Sequence, residues 1–121
     1  MNGSDALIIS IGTMLSEAIK AAKILKKKGI SCAVFDARFL KPLDKDSILS
    51  IAENVKVVAT VEDNTEHGGL FGMVSEIMDR RVMGFTYPDK PIHHASVKEL
   101  REEFGLDGES IAKRIANSLQ N

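Results

Sequence analysis

The chain has 121 residues, 44% of them apolar and 27% charged, which is the composition of one soluble globular domain with a core of its own. Sixteen basic side chains stand against 17 acidic ones, a net charge of −1, so the basic surplus of a general nucleic-acid binder is excluded. The lone cysteine, Cys32, excludes an intrachain disulfide or a multi-cysteine metal site, and no apolar run nears the roughly 20 residues that span a bilayer.

The start, "MNGSDALIISIG", lacks the basic n-region of a secretory signal, so a cytoplasmic protein without membrane association is expected. The first apolar run, Ala6 to Gly12, is short and β-branched, the pattern of a buried strand. Thr13 follows as the expected N-cap of an amphipathic helix, with Leu15, Ala18, Ile19, Ala22 and Leu25 at helical spacing. Three lysines and Gly29 close that helix, as the dipole and the left-handed C′ position favour. "ISCAVFDARF" predicts the second strand and "VKVVATVED", Val55 to Asp63, the third; Cys32 reads as a small core residue of the former. Between them Asp44 is the expected cap of "LDKDSILSIAEN", with Leu43 and Ile48 as a hydrophobic staple.

After the third strand comes the loop "NTEHGGLFG", then a helix expected over "MVSEIMDRRV" and a short fourth strand in "MGFTYPD". The tail predicts two helices. One opens on a Ser96–Glu99 capping box and stops at Gly105; the other is capped by Asp107 and stapled by Leu106 and Ile111. Continuous apolar strands alternating with helices predict a three-layer α/β/α domain with a mainly parallel sheet of about four to five strands.

Four features could carry function. Asp36 and Arg38 lie in "DARFLKPLD" at the carboxyl end of the second strand, where open α/β sheets bind ligands. Yet Pro42 and Asp44 have folding roles available there, as a turn and a cap, and an Asp–Arg pair at a strand end also serves as scaffold. The "EHGGLFG" loop offers amides near Gly68 and Gly69 to an anion, or a close approach to another chain or domain. His67 beside it is a candidate interface contact, while His93 and His94 have no metal-like spacing. Glu62, in "VEDN", is a candidate acid–base group or a salt-bridge partner for Arg38. No complete nucleophile, base and oxyanion hole is legible.

In order, "ALIISIGTMLSEAIKAAKIL", "DARFLKPLD", "VVATVEDNTEHGGLFGMVSEIM" and "YPDKPIHHASVKELREEFGLDGESIAKRI" resemble the C-terminal domain of the transketolase family over nearly the whole chain. The "DARFLKPLD" form and the tail favour a synthase branch over true transketolases and over the β subunits of 2-oxoacid dehydrogenases. That branch condenses pyruvate with glyceraldehyde 3-phosphate and feeds isoprenoid, thiamine and pyridoxal synthesis. The resemblance implies a single domain, residues 1–121, of a three-domain thiamine-diphosphate enzyme. Its cofactor, Mg2+ and catalytic residues would lie on the other two domains, which would be this chain's partners in a homodimer. It further implies that this chain alone is inert, without catalytic, cofactor or metal residues. Asp36, Arg38, Pro42, Asp44, Glu62, His67, Gly68 and Gly69 are then structural or interface residues, with Arg38 bridging to acids near Asp36 or Glu62. An antiparallel edge strand of the family, upstream of "ALIISIG", is expected to be missing or poorly formed, leaving a sheet edge open to a second copy. The C-terminal part of a split transketolase or of a 2-oxoacid dehydrogenase E1 β subunit, and a stand-alone anion-binding regulatory module, remain alternatives.

Overall fold

The computed structural model describes residues 4–38, 43–65, 69–88 and 95–120. In chain order they form β1 (Ala6–Ser10), a 3-10 turn (Gly12–Met14), α1 (Leu15–Lys27), β2 (Cys32–Asp36), α2 (Lys45–Ala52), β3 (Val57–Thr65), α3 (Leu70–Ile77), β4 (Val82–Tyr87), α4 (Val97–Glu103) and α5 (Gly108–Leu119). The four strands make one sheet in the order β2-β1-β3-β4, and every pairing is parallel. Ala6 pairs with Cys32 on one side and Val57 on the other, so β1 is central. Among the described residues the sheet has these four strands, with β2 and β4 at its margins.

The continuous apolar runs have a direct cause. Neighbouring residues of a strand face opposite sides of the sheet, so a strand covered on both sides must be apolar throughout. Ala6 and Ile8 enter one core with Cys32, Ala59, Val61 and Phe85, sealed by Ala18, Ala22 and Leu25 of α1 and Ile111 and Ile115 of α5. Leu7 and Ile9 enter the other with Ala33 and Val58, sealed by Ile48 of α2 and Leu70 and Val74 of α3. This is the three-layer arrangement expected. Arg114 lies 4.5 Å over the buried Phe85 ring and screens its edge of the first core.

The helix ends follow local chemistry. Gly29 (φ +79) lets α1 close with its own amide on the Lys26 carbonyl and the Ile30 amide on the Leu25 carbonyl, a Schellman end. Gly105 (φ +71) does the same for α4, with Leu106 donating to the Arg101 carbonyl at 2.7 Å. The Asp44 and Asp107 caps and the Ser96–Glu99 box all form. Arg80 closes α2 from a distance: its guanidinium donates to the carbonyls of Ala52 (3.2 Å), Val55 (2.9 Å) and Lys56.

Two sequence expectations are corrected. The chain after β1 takes a 3-10 turn in which Thr13 caps nothing, and its hydroxyl instead reaches across to β3. The third helix starts at Leu70 rather than Met73 and takes in Gly72. The cause lies in the site described next.

Candidate functional site

The carboxyl ends of the strands carry the candidate residues. In the order β2-β1-β3-β4 the chain leaves β1 in one direction toward β2 and later returns on the other side to β3. That reversal is the place where open sheets bind ligands. Glu62 sits there on β3 and is fully buried. Its Oε1 accepts the Leu70 amide at 2.8 Å and its Oε2 the Phe71 amide at 2.7 Å. Both are first-turn amides of α3, whose N-cap, Gly69 (φ +85), supplies no side-chain cap. An anion on two first-turn amides that lack partners within the helix is the arrangement that binds a free ligand elsewhere. In this protein the anion is a side chain of the same chain. Residues 66–68 lie outside the described residues, and with them His67 and Gly68.

The Asp36–Arg38 corner differs from its expectation. Arg38 is exposed and has left the strand, with a left-handed backbone (φ +58), so it does not share a strand face with Asp36. Among the described residues it makes no ion pair with Asp36 or Glu62. The bond between them comes instead from the Arg38 backbone amide, which donates to Asp36 Oδ1 at 3.0 Å. A short carboxylate two residues back stabilises a tight turn in this manner. Ala37 follows the sheet, donating to the Ser10 carbonyl at 2.8 Å, before the chain turns. Pro42 lies outside the described residues. Asp44 caps α2 through the Ser47 amide at 3.3 Å, and Leu43 and Ile48 share the core beneath it.

A second polar group at the same edge was not legible in the sequence. Thr13 Oγ1 donates to Asp63 Oδ2 at 3.1 Å and accepts from Arg101 Nη2 at 3.3 Å. Arg101 Nη1 lies 3.7 Å from Glu17 Oε2, and Glu17 Oε1 accepts the Gly108 amide at 2.8 Å. Tyr87, at the end of β4, stands edge-on to Phe104 with ring centroids 5.7 Å apart. Burial, then the Asp63 charge, push the Tyr87 phenol above its ordinary value, with Arg101 opposing. These residues come from six elements, and their bonded pairs lie up to 91 positions apart, so no local motif announces them.

The chemistry available is limited. Every described carboxylate of this edge already serves a backbone amide, a hydroxyl or a guanidinium of the chain itself. Among the described residues no three His, Cys, Asp or Glu side chains come together to hold a metal ion. Burial pushes the Cys32 thiol up to about 12, which keeps it protonated and unreactive at neutral pH. No helix of the described residues is long and apolar enough to cross a membrane.

The profile of the transketolase C-terminal domain matches residues 1–111. The 1-deoxy-D-xylulose-5-phosphate synthase of Dictyoglomus thermophilum is 38% identical, over 98% of this chain and 20% of its own length. That of Prochlorococcus marinus is 43% identical, over 93% of this chain and 18% of its own. The chain therefore spans about a fifth of the curated relatives it matches. Among solved structures, a split-gene transketolase, described as an inactive β4 tetramer, superposes with a TM-score of 0.84 at 27% identity, over 98% of this chain and 40% of that one. A transketolase from Pichia stipitis (TM-score 0.74, 20% identity, 99% of this chain and 17% of that one) shares the fold.

Proposed function

The chain belongs to the transketolase C-terminal domain family, and from that premise we propose that it serves as the non-catalytic assembly domain of a 1-deoxy-D-xylulose-5-phosphate synthase. The observation that carries the reading is Glu62. The amides at the start of α3, the nearest thing to a phosphate cradle at the ligand-binding edge, hold an internal carboxylate. A thiamine diphosphate brought there would meet a buried negative charge with its hydrogen-bond donors already engaged, so these residues do not fit the cofactor. The same occupancy takes the Leu70 and Phe71 amides away from a stand-alone anion site at the start of α3. Thiamine diphosphate, Mg2+ and the condensation of pyruvate with glyceraldehyde 3-phosphate then belong to the cofactor-binding domains of a longer cytoplasmic enzyme. This chain supports their assembly and their pairing into a dimer.

The test joins two measurements. The purified chain is titrated with thiamine diphosphate and Mg2+ by calorimetry and assayed for release of carbon dioxide from pyruvate. It is then mixed with the remaining four-fifths of a relative such as the Dictyoglomus thermophilum synthase. The expected results are no heat and no turnover alone, and synthase activity on mixing. Pyruvate decarboxylation by the lone chain overturns the proposal. The split-gene transketolase match favours one second reading, a separately encoded subunit. Activity with a transketolase partner, and none with the synthase partner, would select it.

A further inference from the structure

Two helices cover the first core, and α4 stands beside them on different terms. Four residues of α1 and five of α5 are buried, whereas none of the seven residues of α4 is. A helix of seven residues does not hold its shape alone in water, so the order of α4 rests on what docks it. Three things do. Leu100 and Phe104 are half-buried against the first core. The Phe104 ring meets Tyr87 of β4. Arg101 reaches Thr13 and Glu17.

That docking is incomplete. Arg101 Nε is buried without a partner, so the guanidinium forgoes one of its bonds to stay in place. An open cleft of about 340 Å³, lined by Glu17, Lys20, Val97, Arg101, Glu102 and Asp107, separates α4 from α1 and the start of α5. Val97, beside it, is a large apolar side chain left 60% exposed. By contrast, the two ends of α4 are locally well made: the capping box forms at Ser96, and the Schellman end at Gly105 joins it to the fully buried Leu106. The helix is capped at both ends, fixed at its C-terminal anchor, and lightly held across its face. Segments with these features open at a free energy below that of global unfolding.

We propose that α4 is a displaceable cover on the carboxyl edge of the sheet. It leaves as a unit about Gly105 while the sheet, α1 and α5 stay folded, and Arg101 is its latch. Release frees Thr13 and Tyr87, the groups that Arg101 and Phe104 now occupy. The inference is independent of the proposed function and holds for the chain whatever its partners.

Native-state hydrogen exchange on the whole chain tests it. The amides of Leu100 and Phe104 are expected to exchange at least tenfold faster than those of Ile8 and Ala59, and with a weaker dependence on denaturant. Arg101→Ala is expected to speed α4 exchange tenfold or more and to leave the β1 and β3 amides within twofold. Equal rates and equal denaturant dependence for α4 and the central strands in the wild-type chain overturn the proposal. So does an Arg101→Ala variant that speeds all amides alike or fails to fold, because loss of a latch on one short helix leaves both cores intact.

Discussion

Replacing Glu62 tests the reasoning at its centre. The carboxylate makes two charge-assisted bonds, at 2.8 and 2.7 Å, from a fully buried position. Bonds of this kind contribute about 1.5–3 kcal/mol each, and each buried amide left without an acceptor costs about 1–3 kcal/mol. Part of that is offset, because the charge no longer has to be held out of water. The balance for Glu62→Ala is a loss of about 3–5 kcal/mol. Glu62→Gln keeps an oxygen for one amide but turns an NH2 toward the other, and should lose about 1–3 kcal/mol. Urea unfolding followed by circular dichroism is the assay. With a slope of about 2 kcal/mol per molar, the midpoint falls by roughly 1.5–2.5 M for the alanine variant. The amides of Leu70 and Phe71 should also lose exchange protection first, as α3 retreats toward Met73, where the local pattern alone would start it. A Glu62→Ala variant within about 0.5 kcal/mol of wild type, the spread of an ordinary surface change, would refute the assigned cap.

Three further outcomes are expected. Arg38→Ala should leave the unfolding free energy within about 0.5 kcal/mol of wild type, and Arg38→Gly should raise it by up to about 1 kcal/mol, because relief of the left-handed strain at φ +58 exceeds the added chain entropy of glycine; a large loss in either would restore a buried bridge. At Gly84 an added methyl would lie 2.6 Å from the Phe71 ring, so Gly84→Ala should cost about 1–3 kcal/mol and Phe71→Leu should relieve part of it in a double-mutant cycle. Folding raises the Cys32 thiol from 9.0 to about 12, so its contribution is whole below pH 9 and declines as the pH rises toward 12, with Tyr87 acting in the same direction; stability profiles that stay flat from pH 8 to 11, or rapid Cys32 labelling of the native chain at pH 8, would count against the buried assignment.

What the sequence disclosed was local. The caps at Asp44, Ser96 and Asp107, the stops at Gly29 and Gly105, and the apolar strands were readable because each acts within a few residues. The alternation of those strands with helices implied the three-layer architecture, and the family resemblance added that larger domains belong beside it. Hidden were the contacts that join distant positions. Thr13 has the chemistry of a cap, but Asp63 offers its hydroxyl a better partner fifty positions on. In the sequence Glu62 reads as an acid beside Arg38 and not as the cap of a helix eight residues later, because the intervening glycines read as open loop. Arg80 gave no sign of closing α2, since its three carbonyl acceptors lie 24 to 28 positions before it. The turn at Arg38 escaped because nothing in "DAR" marks a left-handed residue.

The chain has no tryptophan and a single tyrosine. Its near-ultraviolet absorption and intrinsic emission therefore come almost wholly from Tyr87, whose ring sits at 79° to Phe104 of α4 and beside Asp63. An optical trace thus reads the seating of one short helix, whereas circular dichroism reads the entire backbone. Two melting curves recorded on one sample, one from each signal, need not superimpose, and the gap between them would measure how independently that helix behaves.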